Sequence, residues 1–175
     1  MIKHELEWCI REYGKDIYSF CRYLANSIED ADDLYQDTFL TAMEQFEKID
    51  MQQNPKSYLL SVALRLWKNR KRKYAWRKRI TDMILMREEA EDEEQEAKII
   101  RFSPEEVTLR REKIQVVRQA VSNLPERLRI IILLYYTEEL SVSQISELVH
   151  IPEGTVKSRL FKARKVLEKE LELLL

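Results

Sequence analysis

The chain reads as all-α: two small helical domains joined by a charged linker, the C-terminal domain containing a helix-turn-helix. Three observations lead there. Among 175 residues only Gly14 and Gly154 are glycine and only four are proline, so the chain has few obligatory breaks. Apolar residues recur at steps of three and four along most of its length, the period of helices buried on one face. No alternating strand-and-turn pattern competes with it. Charge is also segregated. Thirty basic and 31 acidic residues nearly cancel, yet RLWKNRKRKYAWRKR (65–79) has nine basic residues and no acid, and EEAEDEEQE (88–96) has seven acids and no base. We place the domains at 1–79 and 107–175, with the linker at 80–106.

The first helix is expected from about Ile2 to Leu24, with Leu6, Cys9, Tyr13, Ile17, Phe20 and Leu24 on its inner face. Asn26 or Ser27 breaks the chain before a second helix, about Ala31 to Phe46. Ala31, Leu34, Thr38, Ala42 and Phe46, or Phe39 beside them, face inward there, and Asp32, Asp33, Gln36, Asp37 and Glu44 make an acidic outer surface. Such a surface is either simply solvated or docks a basic or amide-rich helix. After the polar stretch EKIDMQQNPKS, Pro55 opens a third helix. Tyr58, Leu59, Val62, Ala63 and Leu66 supply its packing, and its second half turns basic around Trp67, Tyr74 and Trp76. Interleaved rings and cations suit single-stranded nucleic acid, rings stacking on bases while Lys and Arg hold phosphates. Trp67 fits a core position equally well.

In the C-terminal domain a helix ends near Asn123, Leu124–Pro125 marks a boundary, and the run containing Ile130–Leu134 forms a buried helix, a lone strand having no partner. Then comes LSVSQISELVH, where Leu140, Ile145, Leu148 and Val149 are available for burial, Ser141 or Ser143 for capping, and Glu147 as the reciprocal partner. A short turn leads into IPEGTVKSRLFKARKVL (151–167). Val156, Leu160, Ala163 and Leu167 share one face of this helix, and from Lys157 to Val166 there is no acid. On its own that is an amphipathic surface helix. Behind a short non-basic helix and a tight turn, it has the outline of a helix placed in a DNA major groove.

Several classes are excluded. Cys9 and Cys21 sit in apolar-periodic runs and read as buried thiols of a reducing compartment. His4 and His150 have no neighbouring ligand set, which argues against zinc. No nucleophile–base pair or glycine-rich phosphate cradle occurs, so we expect no catalysis and no cofactor. The charged N-terminus MIKHELEWCIREYG is no signal peptide and no segment suits a bilayer, so a cytoplasmic location and no direct membrane insertion are expected.

The blocks DADDLYQDTF, NPKSYLLSVA with KNRKRK, LPERLRIIILLYY and ISELVHIPEGTVKSRLFKARKVL, in that order, resemble the sigma-70 family, specifically its extracytoplasmic-function group. The resemblance covers most of the chain outside the linker. It implies a bacterial transcription initiation factor that binds core RNA polymerase and directs it to −35 and −10 promoter elements. By this resemblance Asp30, Asp33, Leu34, Gln36, Asp37 and Phe39 match the segment that grips a coiled coil of the large catalytic subunit. Asn54, Lys56, Ser57 and Tyr58 match the loop and helix start that capture a flipped base of the −10 strand. The helix that follows, with Arg65, Lys68, Asn69 and Arg72, matches the part that holds melted −10 DNA. Thr155, Lys157, Ser158, Arg159 and Lys162 match the helix that reads duplex DNA at −35. An anti-sigma protein covering polymerase-binding surfaces is a further implied partner; a small-molecule substrate is not.

The chain departs from the family's pattern in places. Arg65 and Asn69 stand where the family commonly has an Asn-x-x-x-Asp arrangement, making this helix more basic than usual. Ser146 replaces a frequent Ala and His150 a frequent Gly; a histidine there is costly if the turn needs positive φ. The acid run 88–96 either folds back on the 65–79 strip in the free chain or threads a polymerase channel. Two rival classes are a stand-alone helix-turn-helix regulator of duplex DNA and a polymerase-binding scaffold without DNA contacts. The docking-like block and the aromatic-basic strip oppose the first, and the basic recognition helix opposes the second.

Overall fold

The computed structural model describes residues 2–45, 54–85 and 109–174, and every regular element among them is helical. The chain divides into two compact units, Met1–Glu94 and Gln95–Leu175. Phe46, the acid run 88–96 and the 86–106 part of the expected linker lie outside the described residues.

The first unit packs three helices, α1 (Ile2–Leu24), α2 (Ile28–Glu44) and α3 (Pro55–Leu85), each against the other two. Helix α2 begins three residues before the expected Ala31 because Ser27 caps it. The Ser27 Oγ accepts the Asp30 N–H at 3.0 Å, and Glu29 and Asp30 complement the helix dipole in the first turn. Asn54 caps α3 in the same way, its Oδ1 accepting the Ser57 N–H at 2.9 Å, and Pro55 takes the first helical position. The core joins Leu6, Cys9, Ile17, Phe20 and Leu24 of α1 to Ala31, Leu34, Thr38, Phe39 and Ala42 of α2 and Leu59, Leu60, Val62, Ala63, Leu64 and Trp67 of α3. Tyr13 is only half-buried. Gly14 marks a close approach: a Cβ there would lie 3.0 Å from the Tyr35 hydroxyl. Tyr35 in turn meets Tyr18 and Phe39 edge-on, and the Tyr18 hydroxyl donates to Asp32 at 2.8 Å, tying α1 to α2. Helix α3 continues through residue 80, where the linker was expected to begin, to Leu85.

The second unit contains α4 (Leu109–Asn123), α5 (Glu126–Ile132), α6 (Val142–Val149) and α7 (Glu153–Leu174). Helix α5 runs on into a π-helical turn, Leu133–Thr137, which the sequence did not announce. Five consecutive residues, Ile130 to Leu134, are buried, more than one face of a regular helix can hide. The wider turn closes with the Glu138 N–H on the Leu133 carbonyl at 3.1 Å. Arg129, also buried, donates from Nη1 to the Ser122 carbonyl at 2.9 Å, binding α5 to the end of α4; burial pushes its guanidinium pKa down, opposed by Glu126.

Ser141 caps α6 through a reciprocal pair with Gln144: the Gln144 N–H meets Ser141 Oγ at 3.1 Å and Gln144 Oε1 accepts the Ser141 N–H at 2.9 Å. The expected partner Glu147 is six residues on and exposed; the reciprocal bond needs a spacing of three. His150 ends α6 in the left-handed region, φ 59° and ψ 49°, so the turn does require positive φ. Ser146 steadies it, its Oγ donating to the Ile151 carbonyl at 2.6 Å while its own carbonyl accepts from the Ile151 N–H at 3.2 Å.

Replacing His150 with Gly removes the Cβ clash of that conformation at some cost in unfolded-chain entropy. We expect a net gain of about 0.5–1 kcal/mol in urea unfolding. The buried Cys21 thiol is pushed up from 9.0 to about 12, chiefly by burial, with Thr38 opposing through a hydrogen bond. The folded chain therefore holds this proton more tightly than the unfolded one. The associated stability is present below pH 9 and is lost as pH rises toward about 12. Unfolding midpoints should fall on alkaline titration from pH 9, and less steeply in Cys21→Ala; an unchanged slope would show that the thiol contributes nothing.

Candidate nucleic-acid interfaces and docking face

Burial sets the phase of α3. With Leu59, Val62, Ala63 and Trp67 turned inward, a rotation of about 100° per residue brings Tyr58, Arg65, Lys68, Asn69 and Arg72 to the opposite side. Five of the expected −10 residues thus share one face. Arg65, Asn69 and Arg72 are exposed, Tyr58 and Lys68 are half-buried, and Arg72 donates to Asn69 Oδ1 at 2.6 Å. At the start of the helix Asn54 is occupied as the cap, and Lys56 pairs with Asp16 of α1 at 2.8 Å. The Ser57 Oγ and the Tyr58 hydroxyl are buried with no hydrogen-bond partner among the described residues. Such oxygens are costly in a folded chain and are commonly completed by a ligand or water.

The basic strip separates by the same rotation. Trp67 is 6% exposed and belongs to the core, which settles its two readings; Lys71 lies over its ring at 4.9 Å. Residues 71–79 are all exposed, among them Tyr74 and Trp76. Arg70 turns the other way, onto α2. Its Nη2 meets Asp37 Oδ2 at 2.5 Å, and its Nη1 approaches the Asp30 carbonyl at 3.5 Å. The preceding residues offered no signal for this ion pair, because it joins positions 33 residues apart.

On α2 the structure splits the expected docking residues. Leu34 and Phe39 lie in the core and support the face from beneath. Asp30, Asp33, Gln36 and Asp37 are exposed. Leu40 and Met43, not anticipated from the sequence, lie on the same face at 53% and 51% exposure. Their helical phase, three and six residues after Asp37, was the available signal: apolar residues on the side away from the core stripe.

On α7, Val156, Leu160 and Ala163 are buried and Leu167 is half-buried. That leaves Lys157, Ser158 and Lys162 exposed on the outer side, with Thr155 and Arg159 half-buried at its edge. Phe161, also missed, stands among them at 63% exposure, one turn after Lys157. Gly154 lies on this outer side near the helix start, and a Cβ there would meet nothing within 4 Å. Arg164 is held on a different bearing. Its Nε donates to the Tyr136 hydroxyl at 2.8 Å, and its guanidinium lies 5.7 and 5.6 Å from the rings of Tyr135 and Tyr136. The π-helical turn thereby anchors the middle of α7. Among the described residues no group of His, Cys, Asp or Glu is placed to hold a metal ion, and no helix is long and apolar enough to cross a membrane.

Comparison with known proteins gives this geometry a family. Residues 9–77 match the model of sigma-70 region 2, and residues 114–167 match that of sigma-70 region 4. The chain is 29% identical over 163 residues to the ECF RNA polymerase sigma factor SigW of Bacillus subtilis, covering 91% of this chain and 84% of that protein. It is also 29% identical over 174 residues to the RNA polymerase sigma-H factor of Pseudomonas aeruginosa, covering 99% and 89%. Its fold resembles the sigma factor RpoE of Bartonella quintana, solved in complex with the anti-sigma factor NepR, with a TM-score of 0.72 at 20% identity over 95% of this chain and 96% of that one. It also resembles CnrH in complex with the cytosolic domain of CnrY, with a TM-score of 0.64 at 17% identity over 96% and 88%. With a region 2 unit and a region 4 unit in order, the chain belongs to the sigma-70 family, as an extracytoplasmic-function RNA polymerase sigma factor.

Proposed function

We propose that the two units divide promoter recognition between them, the first holding core polymerase and the −10 strand and the second reading duplex DNA at −35. As a sigma factor the chain directs RNA polymerase to promoters; the polymerase supplies the chemistry of RNA synthesis and this chain supplies the address. The observation that carries the residue-level reading is the outer face of α3, where Tyr58, Arg65, Lys68, Asn69 and Arg72 come together opposite a core that fixes their direction. Melted DNA offers unpaired base edges and phosphates to such a face. The buried oxygens of Ser57 and Tyr58 support capture of a base at the head of the same helix, offsetting an unstacking cost of about a few kcal/mol.

Helix α7 serves the −35 duplex. Lys157, Ser158 and Lys162 supply donors to base edges and phosphates, with Thr155 and Arg159 at the rim, and the exposed Phe161 gives apolar contact of the kind a thymine methyl accepts. The α2 face docks the polymerase: Asp33, Gln36 and Asp37 surround Leu40 and Met43, an apolar centre with a polar rim. An anti-sigma protein is a second partner for this face; RpoE, whose fold this chain resembles, was solved with an anti-sigma factor bound. The chain works in the cytoplasm, where polymerase and DNA meet.

Co-purification with bacterial core RNA polymerase tests the docking face. The intact chain is expected to bind stably, and Asp33→Arg with Asp37→Arg to weaken binding by at least about tenfold, since like charges brought together cost several kcal/mol. A folded, inhibitor-free chain that binds no polymerase would instead favour a stand-alone regulator of duplex DNA. Gly154 tests the other unit. Its Cβ position is open, so Gly154→Ala should raise stability by up to about 1 kcal/mol. The added methyl stands where DNA would approach, so duplex binding should weaken by about fivefold or more. Unchanged duplex affinity would mean that DNA does not come close at this point.

A further inference from the structure

Past Trp67 the described part of α3 turns outward into solvent. Among the described residues its last core residue is Trp67, and residues 71–79 are exposed all round, with six basic residues and no acid among them. Within that stretch Tyr74 is 72% and Trp76 is 65% exposed. An indole left mostly in water, outside the core, calls for another explanation.

The two rings are not equivalent. They are two residues apart, about 200° of rotation, so they cannot serve one surface together. Tyr74 follows Arg70 by four residues and continues the side that points toward α2. Trp76 follows Arg72 by four and Asn69 by seven, which puts it on the outward face already occupied by Arg65 and Lys68. Arg79, three residues further, completes a line in which the indole lies between two guanidinium groups on one side of the helix. The rise of about 1.5 Å per residue places Trp76 about 6 Å beyond Arg72.

We infer that Trp76 is a stacking platform for an unpaired nucleic-acid base, extending the outward face of α3 one turn past Arg72. The chemistry favours a single strand. In a duplex the faces of the bases are hidden in the stack, and cations alone suffice to hold phosphates. An exposed ring between cations gains its free energy from a base face that is open, while Arg72 and Arg79 hold the flanking phosphates. The inference deepens the proposed −10 role of this face and rests on it. It adds a contact outside the helix start, where base capture is proposed, and assigns different roles to the three aromatic residues of the strip: Trp67 to the core, Trp76 to the strand and Tyr74 to neither.

The test uses the full chain, a fluorescently labelled single-stranded DNA of mixed sequence and the matching duplex, at one salt concentration. Trp76→Ala is expected to weaken single-strand binding by about fivefold to a hundredfold and duplex binding by less than about twofold. Trp76→Phe, which keeps a ring, should recover part of the loss, and Tyr74→Ala should change neither affinity by more than about twofold. Circular dichroism confirms folding, which these exposed substitutions leave intact. Equal losses on single and double strands, or no loss with Trp76→Ala, would overturn the inference. Polymerase binding separates the two levels. If the intact chain binds core polymerase while Trp76→Ala keeps full single-strand affinity, the stacking role alone fails. If it binds no polymerase but shows the selective loss, the sigma reading fails and the platform stands.

Discussion

Burial of one side of α3 against α1 and α2 is the constraint on which the first unit depends. Leu59, Val62, Ala63 and Trp67 are each less than a tenth exposed, and truncating Leu59 or Trp67 to Ala typically costs about 2–5 kcal/mol. Because a helix is stiff, that burial also fixes the direction of every other side chain on it. Arg65, Lys68, Asn69 and Arg72 point outward because the apolar residues between them point inward. The caps reinforce the arrangement from its start: Asn54 sets where α3 begins, and Ser27 sets where α2 begins and hence which residues form its exposed face. In this unit the fold and the proposed interfaces are two sides of the same helices.

The second unit reaches the same end by a different route. From Arg129 to Leu134 its central helix is buried on every side, so amphipathic phase alone cannot orient α7 against it. The orientation comes from local devices. The π-helical turn after Ile132 lets a run of five buried residues remain inside and brings Tyr135 and Tyr136 to Arg164. The left-handed His150, tied down by Ser146, sets the exit from α6. These features hold the basic helix with Val156, Leu160 and Ala163 inward and Lys157, Ser158, Phe161 and Lys162 outward.

Features that depend on spacing along one helix were legible in the sequence. The inner stripe of α1, the opening of α3 at Pro55, the break at Leu124–Pro125 and the inward positions of α7 all follow from periodicity and capping chemistry. The inward side of Leu34 and Phe39 is read from the α2 stripe, and the structure places both in the core although they also belong to a family docking motif. Features that depend on a second element were not legible. The π-helical turn is invisible to a 3.6-residue period. The Arg70–Asp37 pair joins helices brought together only by folding. Leu40, Met43 and Phe161 are apolar residues out of phase with the core, a signal that the charges around them mask in the sequence.

Direction matters in the basic strip as well. Its nine cations suggest a uniform polyelectrolyte, but affinity for nucleic acid depends on the phosphates actually met by cations. Helical phase puts Arg65, Lys68, Arg72 and Arg79 on one side, while Arg70 is turned back onto an acid of α2. An exposed pair of that kind contributes only about 0–1 kcal/mol, too little for the fold to depend on it. Its effect is to take one charge out of the outward line and to place it beside the docking face. The specificity of a strip that looks repetitive in sequence therefore comes from direction: the core selects which few of many similar charges share a surface, and which ring stands among them.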